Sequence, residues 1–245
     1  MHRMFKPSGM ARRLAACLGA LGLAALLSAC AVPDASRGEV GRYKLALPPG
    51  DWVELTPGDG FGLPPAVAGA QDAKGLHTRA WGLRDTGGGW QALVLLHVGD
   101  VSRNVTSWNR VCPPARGVVV DDAAGGSATR IDCLRYRRWA EYEDWLPKNR
   151  PDLLAWGRRV GVALPAPTAH LSHVLTTGWG DYVALDVLAS QGLVRPRTQS
   201  NDEFLRAGFA ARDWSEQVAR ALRVSTGMMD GHLALPPFPF SPTPP

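Results

Sequence analysis

The sequence lacks acidic residues at its amino end and contains few lysines. No Asp or Glu precedes position 30, whereas Arg3, Lys6, Arg12 and Arg13 do. These four account for most of the excess of 27 basic over 22 acidic residues, and 23 against 22 are left from position 30 onward. A nucleic-acid-binding domain needs a basic face on its folded part. The near-neutral remainder therefore argues against a nucleic-acid partner.

A strict internal repeat is also missing, although the chain has 27 glycines and 20 prolines. This excludes a collagen-like protein, and an apolar content of 45% excludes a disordered one. A chain of 245 residues is long enough to bury one sizeable core.

Residues 14–29 form an apolar run without a charge, LAACLGALGLAALLSA, directly after Arg12 and Arg13. A basic region, an apolar region and small residues in this order predict a secretory signal. Two alternatives stay open at this point. The segment from Leu14 to Pro33 is about long enough to span a bilayer uncleaved, and an ordinary signal followed by an ordinary cysteine has the same beginning.

The run ends in Leu27-Ser28-Ala29-Cys30, which resembles the lipobox of bacterial lipoproteins. The resemblance implies that Cys30 receives a diacylglyceryl group, that cleavage precedes it, and that its new amino group is acylated in Gram-negative envelopes. Ala31 stands where an inner-membrane retention signal of this family usually has Asp, so we expect outer-membrane anchoring on the periplasmic side. Inner-membrane anchoring is the alternative. At about 0.8 kcal/mol per buried methylene, two or three acyl chains hold a protein almost permanently.

Only four cysteines occur, Cys17, Cys30, Cys112 and Cys133. Cys17 leaves with the signal and Cys30 takes the lipid, so two remain in an oxidising compartment. We predict a Cys112–Cys133 disulfide, which closes a loop of about twenty residues and stabilises the fold by roughly 3 kcal/mol. A CxxC pair is absent, and a zinc site needs more ligands than two distant thiols.

The expected organisation has four parts: a removed signal at 1–29, a tether at 30–40, a single periplasmic domain at 41–234, and a proline-rich disordered tail at 235–245. Alternating apolar residues and turn residues predict strands at 41–47, 52–55, 77–83, 90–98, 117–121, 128–136, 170–177 and 181–189. Residues 57–75 are expected to be loop, and 101–112 are ambiguous.

Two helices are expected late in the chain. Pro151 and Asp152 begin the first, which Gly161 ends. Asp213 and Glu216 resemble the capping box of the second. Early strands and late helices predict an α+β fold, an antiparallel sheet with two or more covering helices.

One local pattern suggests an alternative architecture. Leu47-Pro48 followed by Trp52 resembles the early strand pair of the Mog1/PsbP-like lipoproteins. That resemblance implies an α/β/α sandwich.

His170-Leu-Ser-His173 suggests a metal site, but in a strand positions i and i+3 point to opposite faces. No HExxH motif, third ligand or carboxylate is placed to help. We therefore predict no metal site, and neither a cofactor nor a catalytic residue is assigned.

Nine tryptophans are the oddest feature of the composition. They are interpreted as core and edge residues, with stacking platforms for a carbohydrate as the alternative. Trp139, Trp145 and Trp156, beside Arg137 and Arg138, are the cluster that we expect to be exposed.

Two functions agree with these patterns. The first is a membrane-anchored envelope lipoprotein whose non-catalytic domain binds or scaffolds a partner, either an envelope protein or a glycan. The second is a periplasmic hydrolase or glycan-active lipoprotein with scattered catalytic residues. A deep pocket with converging His and acid side chains would favour the enzyme, and a shallow surface with exposed aromatics would favour binding.

Overall fold

A seven-stranded antiparallel sheet is the central element of the computed structural model. Residues 37–55, 77–100, 112–140, 144–176, 181–195 and 198–240 are described by the structure. In spatial order the strands are β3 (Asp51–Leu55), β4 (His77–Arg84), β5 (Trp90–Asp100), β9 (Asp181–Ser190), β8 (Thr168–Thr176), β7 (Asp132–Arg137) and β6 (Val118–Asp122). The sheet therefore runs outward on both sides from β5, β9 and β8, its longest strands.

The predicted hairpins are confirmed. β4 pairs with β5, and β6 with β7, in antiparallel register. The turn between β4 and β5 is stabilised by Asp85, whose carboxylate accepts the N–H groups of Gly87 and Gly89 at 2.9 and 2.8 Å. Gly88, with φ +81°, adopts a left-handed conformation that favours glycine. The predicted loop at 57–75 lies outside the described residues.

Three short strands form a second sheet: β1 (Arg37–Val40), β2 (Tyr43–Ala46) and β10 (His232–Ala234). β1 is antiparallel to β2, and β10 is parallel to it. Residues 37–40 were assigned to the tether, and that assignment is wrong. Val40 is buried in the core. The removal of its apolar side chain from water stabilises the strand.

Within the described residues, four helices cover the large sheet: α1 (Trp145–Asn149), α2 (Pro151–Arg159), α3 (Gln191–Val194) and α4 (Asn201–Gly227). Side chains of α4 and the small sheet pack with one face of the large sheet. Leu146 of α1 and Leu153 and Trp156 of α2 pack with the other face. The fold is thus α+β, with helices on both sides of the sheet. The Mog1/PsbP-like resemblance stays a prediction.

Helix α4 begins thirteen residues before the predicted start, because its N-cap is Ser200 and not Asp213. Ser200 is its N-cap, and the Ser200 hydroxyl accepts the N–H of Glu203 at 3.2 Å. The Glu203 carboxylate accepts the N–H of Gln199 at 2.7 Å. Leu205 and Phe209 are exposed, so the first turns of α4 have no apolar stripe toward the core. The apolar pattern of the sequence therefore predicts a start that is too late. The end at Gly227 is confirmed.

The prediction of a disordered tail is wrong for residues 235–240. The N–H of Leu235 donates to the carbonyl of Ala46 at 2.9 Å, and Leu235 is buried. Phe238 stacks on Trp214 with 5.1 Å between ring centroids. Proline cannot enter a sheet interior, but the Leu and Phe between the prolines bury apolar surface. Residues 241–245 lie outside the described part.

Candidate functional site

The predicted lipidation site, Cys30, lies outside the described residues. Cys112 and Cys133 are joined by a disulfide with 5.6 Å between their Cα atoms. The bond links the chain just before β6 to strand β7. Within the described residues, no helix has both the length and the apolar character needed to cross a membrane.

The two histidines considered for a metal site point to opposite faces of β8. His170 Nε2 lies 2.8 Å from Asp186 Oδ1, on the face covered by α1 and α2. His173 Nε2 lies 2.9 Å from Asp132 Oδ1, on the face covered by α4. Each ring is therefore held by its own carboxylate. Among the described residues, no three His, Cys, Asp or Glu side chains form a metal-binding group.

Asp186 is the centre of a buried ionic cluster. Arg150 Nη1 donates to Asp186 Oδ1 at 2.7 Å, while Arg150 Nη2 contacts Asp152 Oδ2 at 3.0 Å. His97 Nε2 lies 3.4 Å from Asp186 Oδ2, and its Nδ1 lies 2.8 Å from the Thr78 hydroxyl. The side chains of Asp186 and Arg150 are 0% and 1% exposed.

Burial and charge act against each other on these groups. Burial alone would raise the pKa of Asp186, but the charge of Arg150 and the hydrogen bond from His170 outweigh it and hold that pKa well below its usual range. Burial lowers the pKa of His170 despite Asp186. The cluster therefore contains an ionised Asp186–Arg150 pair beside a neutral His170 near pH 7.

The Asp186 and Arg150 side chains at its centre are shielded from solvent, and the cluster joins β5, β9 and β8 to the segment between α1 and α2. Sequence reasoning missed it because its members come from four separate segments. Arg150 between two short helices was the one available signal, since Arg is almost never fully buried unless paired.

The second cluster, on the α4 face, is partly open. Arg223 Nε donates to Asp132 Oδ2 at 2.8 Å, and Arg223 Nη2 lies 3.5 Å from Asp121 Oδ2. Burial by itself would raise the pKa of Asp132, but hydrogen bonds from His173 and Arg223 lower it overall. Burial lowers the pKa of His173. This cluster ties α4 to the edge of the sheet.

An open cleft of about 450 Å³ lies where β9 passes into α3. Its volume is within the range of small-ligand sites, which are about 300–1,000 Å³. Its polar lining is Gln91, Ser190, Gln191, Arg195 and Thr198. Its remaining lining is Trp139, Pro165, Ala166, Pro167 and Gly192.

Hydrogen bonds join the walls of this cleft. The N–H of Gln191 donates to the carbonyl of Pro167 at 3.0 Å, and its side-chain Nε2 donates to the carbonyl of Arg138. The Ser190 hydroxyl donates to Gln91 Oε1 at 2.9 Å, and Gln91 Nε2 donates to Asp85 at 2.8 Å. The cleft is therefore preformed and does not depend on ligand contacts for its shape.

Only one member of the predicted exposed cluster of tryptophans is exposed. Trp139 is 44% exposed and lines the cleft, whereas Trp156 is 1% exposed in the core. Trp145 is half-buried, with the Arg137 guanidinium on its ring and His170 at 5.2 Å between ring centroids. Trp52, Trp81 and Trp214 are buried, as the core interpretation predicts. Trp108 and Trp179 lie outside the described residues.

The chain matches no protein-family model, no curated protein and no solved structure. The chemistry of the cleft therefore has to be argued from its own side chains.

Proposed function

We propose that this protein is a lipid-anchored envelope lipoprotein whose domain binds a partner in the Trp139 cleft and does not catalyse a reaction. The anchor is supported by the order of basic residues, apolar run and Leu27-Ser28-Ala29-Cys30 in the sequence. Anchoring through Cys30 places the domain on the periplasmic side of the outer membrane.

The exposed indole of Trp139 is the observation that carries the binding half of the proposal. A large aromatic ring left in water costs free energy that a partner recovers by covering it. Beside it, Gln191 Oε1 supplies an acceptor without a partner among the described residues, and the Thr198 hydroxyl can donate or accept. A preformed cleft with an aromatic surface and a few convergent polar groups is typical of binding sites.

The alternative, a hydrolase, finds less support in the same geometry. A hydrolytic base needs to face the reacting group, and the His170–Asp186 pair faces Arg150 and the interior instead. We therefore assign this pair to stability.

The anchor is tested by mass spectrometry of the mature amino terminus and by fractionation of the envelope. We expect the wild-type chain to begin at a lipid-modified Cys30 and to fractionate with the outer membrane. Cys30→Ser should lose the lipid mass and leave the outer-membrane fraction. Cys17→Ser is the matched control, because that cysteine is removed with the signal, and it should change neither result. An unmodified Cys30 in the wild type, or a mature peptide that begins before it, contradicts the anchor.

The binding half is tested in intact cells with a photo-crosslinking amino acid at position 165, on the wall of the cleft. We expect a discrete adduct there and none from position 220 on the exposed side of α4. An identical adduct pattern from both positions, or no adduct from position 165, contradicts binding in the cleft.

A further inference from the structure

Two arginines lie over one aromatic ring at the edge of the cleft. The guanidinium carbon of Arg195 is 3.7 Å from the ring centroid of Phe204, and that of Arg138 is 4.7 Å from the same centroid. Within the described part of the chain, no carboxylate forms an ion pair with either group. The ring face compensates part of their mutual repulsion through cation–π attraction, but it does not neutralise two positive charges.

The surroundings of Arg195 disfavour the positive charge of its guanidinium. Burial lowers the pKa of its guanidinium, and the charge of Arg138 lowers it further. Its Nη2 contacts the Thr198 hydroxyl at 3.4 Å, and its buried Nε has no hydrogen-bond partner among the described residues. The buried Nε is out of reach of a ligand, but the outer Nη donors can pair with an anion, and a carboxylate is the group that matches their planar arrangement.

The same arginine lines the cleft that contains Trp139. Gln191, between them, is only 8% exposed, and its carbonyl oxygen Oε1 has no partner within the described residues. Its amide nitrogen bonds to the carbonyl of Arg138, which ties the backbone of the second arginine to the cleft wall. The cleft thus contains aromatic surface, an acceptor without a partner and the guanidinium of Arg195, and the Arg138 guanidinium lies over the same Phe204 ring as that of Arg195.

We infer that the cleft binds a carboxylated oligosaccharide: a sugar ring on Trp139, hydroxyls on Gln191 and Thr198, and a carboxylate on Arg195 and Arg138. The inference rests on the proposed binding function and specifies its ligand class. The C–H groups of a pyranose ring carry a slight positive charge, which the negative face of an indole attracts.

An acidic peptide fits the lining less well. Arginine clusters bind acidic peptide motifs as well as other anions, so the two positive charges alone do not distinguish a peptide from a sugar acid. The polar lining here is made of amides and hydroxyls, which donate and accept as sugar hydroxyls do.

The test uses the full-length protein in detergent and titration calorimetry with trigalacturonic acid. The matched probe is its fully methyl-esterified form, which has the same rings and no charge. Sodium glucuronate and inorganic phosphate test a single sugar acid and a free anion, and a tetra-glutamate peptide tests the peptide alternative. We expect saturable binding of the acid, binding at least about tenfold weaker for the ester, and little binding of the other probes.

Two variants locate the site. Arg195→Gln should weaken binding of the acid by about ten- to a hundredfold and leave the weak binding of the ester unchanged. Arg138→Gln should act in the same direction, which covers the case in which Arg195→Gln fails to fold. Trp139→Ala should weaken binding of both the acid and the ester. Arg220→Gln and Phe209→Ala remove an exposed cation and an exposed aromatic ring elsewhere on α4, and they should change nothing. Unchanged thermal midpoints establish that the variants are folded.

The outcomes separate this inference from the proposed function. Equal binding of acid and ester that Trp139→Ala abolishes would overturn the anion site and leave a saccharide-binding cleft. Tighter binding of the glutamate peptide than of trigalacturonic acid would overturn the saccharide class. Binding of phosphate alone, or of no probe, would overturn the inference as a whole, while the crosslinking experiment at position 165 decides separately whether the cleft has a partner.

Discussion

The two His–Asp pairs of strand β8 invite comparison, because they share their chemistry and differ in their surroundings. The distances from Nε2 to Oδ1 are 2.8 Å for His170–Asp186 and 2.9 Å for His173–Asp132. Each carboxylate also binds an arginine. The Arg150 side chain is 1% exposed, whereas that of Arg223 is 34% exposed.

The difference in exposure predicts that burial, more than hydrogen-bond distance, sets how much each cluster contributes to stability. Arg150 has been removed from water completely, so its charge depends on Asp186 and Asp152 for compensation. Arg223 keeps contact with solvent, which can replace a lost carboxylate at small cost. Two similar hydrogen-bond distances can thus belong to clusters that contribute very differently to stability.

The largest expected effect on stability comes from removal of the buried carboxylate charge of Asp186. Asp186→Asn should lower the free energy of unfolding by about 3–5 kcal/mol, because it leaves Arg150 with an uncompensated buried charge. Asp132→Asn should lower it by about 1–3 kcal/mol, the range for a lost hydrogen bond to a charged group. Urea unfolding followed by tryptophan fluorescence measures both values.

The control for this comparison is Asp144→Asn, which removes a fully exposed partner of Lys148 and should leave the unfolding midpoint unchanged. Equal losses for Asp186→Asn and Asp132→Asn would show that burial of the arginine does not distinguish the two clusters.

The second prediction concerns pH. Burial lowers the pKa of His170 and His173 below 6.5 in the folded state, so the unfolded chain takes up protons first as the pH falls. Their stabilising effect is complete above pH 6.5 and decreases below it, by about 1.4 kcal/mol for each unit of pKa difference. Below pH 3.8 the lowered pKa values of Asp186 and Asp132 add a further loss.

Unfolding midpoints in urea at pH 7.5, 6.5, 5.5 and 4.5 test this. The His170→Gln/His173→Gln double variant should show a shallower decrease between pH 6.5 and 4.5 than the wild type does. A wild-type midpoint that stays constant or rises over that interval contradicts the burial argument.

The smallest expected effect is that of the half-exposed cation. Arg223→Gln should lower the free energy of unfolding by at most about 1 kcal/mol, since water screens its pairs with Asp132 and Asp121. Added salt should lower the free energy of unfolding of the wild type toward that of the variant and so reduce the difference between them. The measurement is urea unfolding at 0.05 and 0.5 M NaCl. A loss as large as that of Asp186→Asn would place both clusters in one class.

Much of the sheet was predictable because its signals are local. Asp85 and the glycines after it predict the β4–β5 turn, and Val183, Leu185 and Val187 alternate along one face of β9 as the pattern requires. Pro151 and Gly161 predict the limits of α2, and the positive φ of Gly161, +69°, agrees with its place after the helix.

The misses share a physical cause. The first turns of α4 and residues 235–240 do not show a regular apolar pattern. A side chain such as Phe238 is held by Trp214 from another part of the chain. Trp139 belonged to the cluster of tryptophans expected at the surface, but the sequence predicted no cleft around it. Arg138 and Arg195 were not recognised as a pair at one site.

The sequence by itself determined the strands of the large sheet, the turns of its hairpins and the fold class, because these depend on neighbours within a few residues. Only the tertiary structure decided that Arg150 and Asp186 share one buried site, that His170 and His173 belong to different clusters, and that Arg138 and Arg195 meet over Phe204. Burial and charge compensation depend on atoms that the fold brings together from distant positions in the sequence. The spacing of residues along the chain does not predict such tertiary contacts.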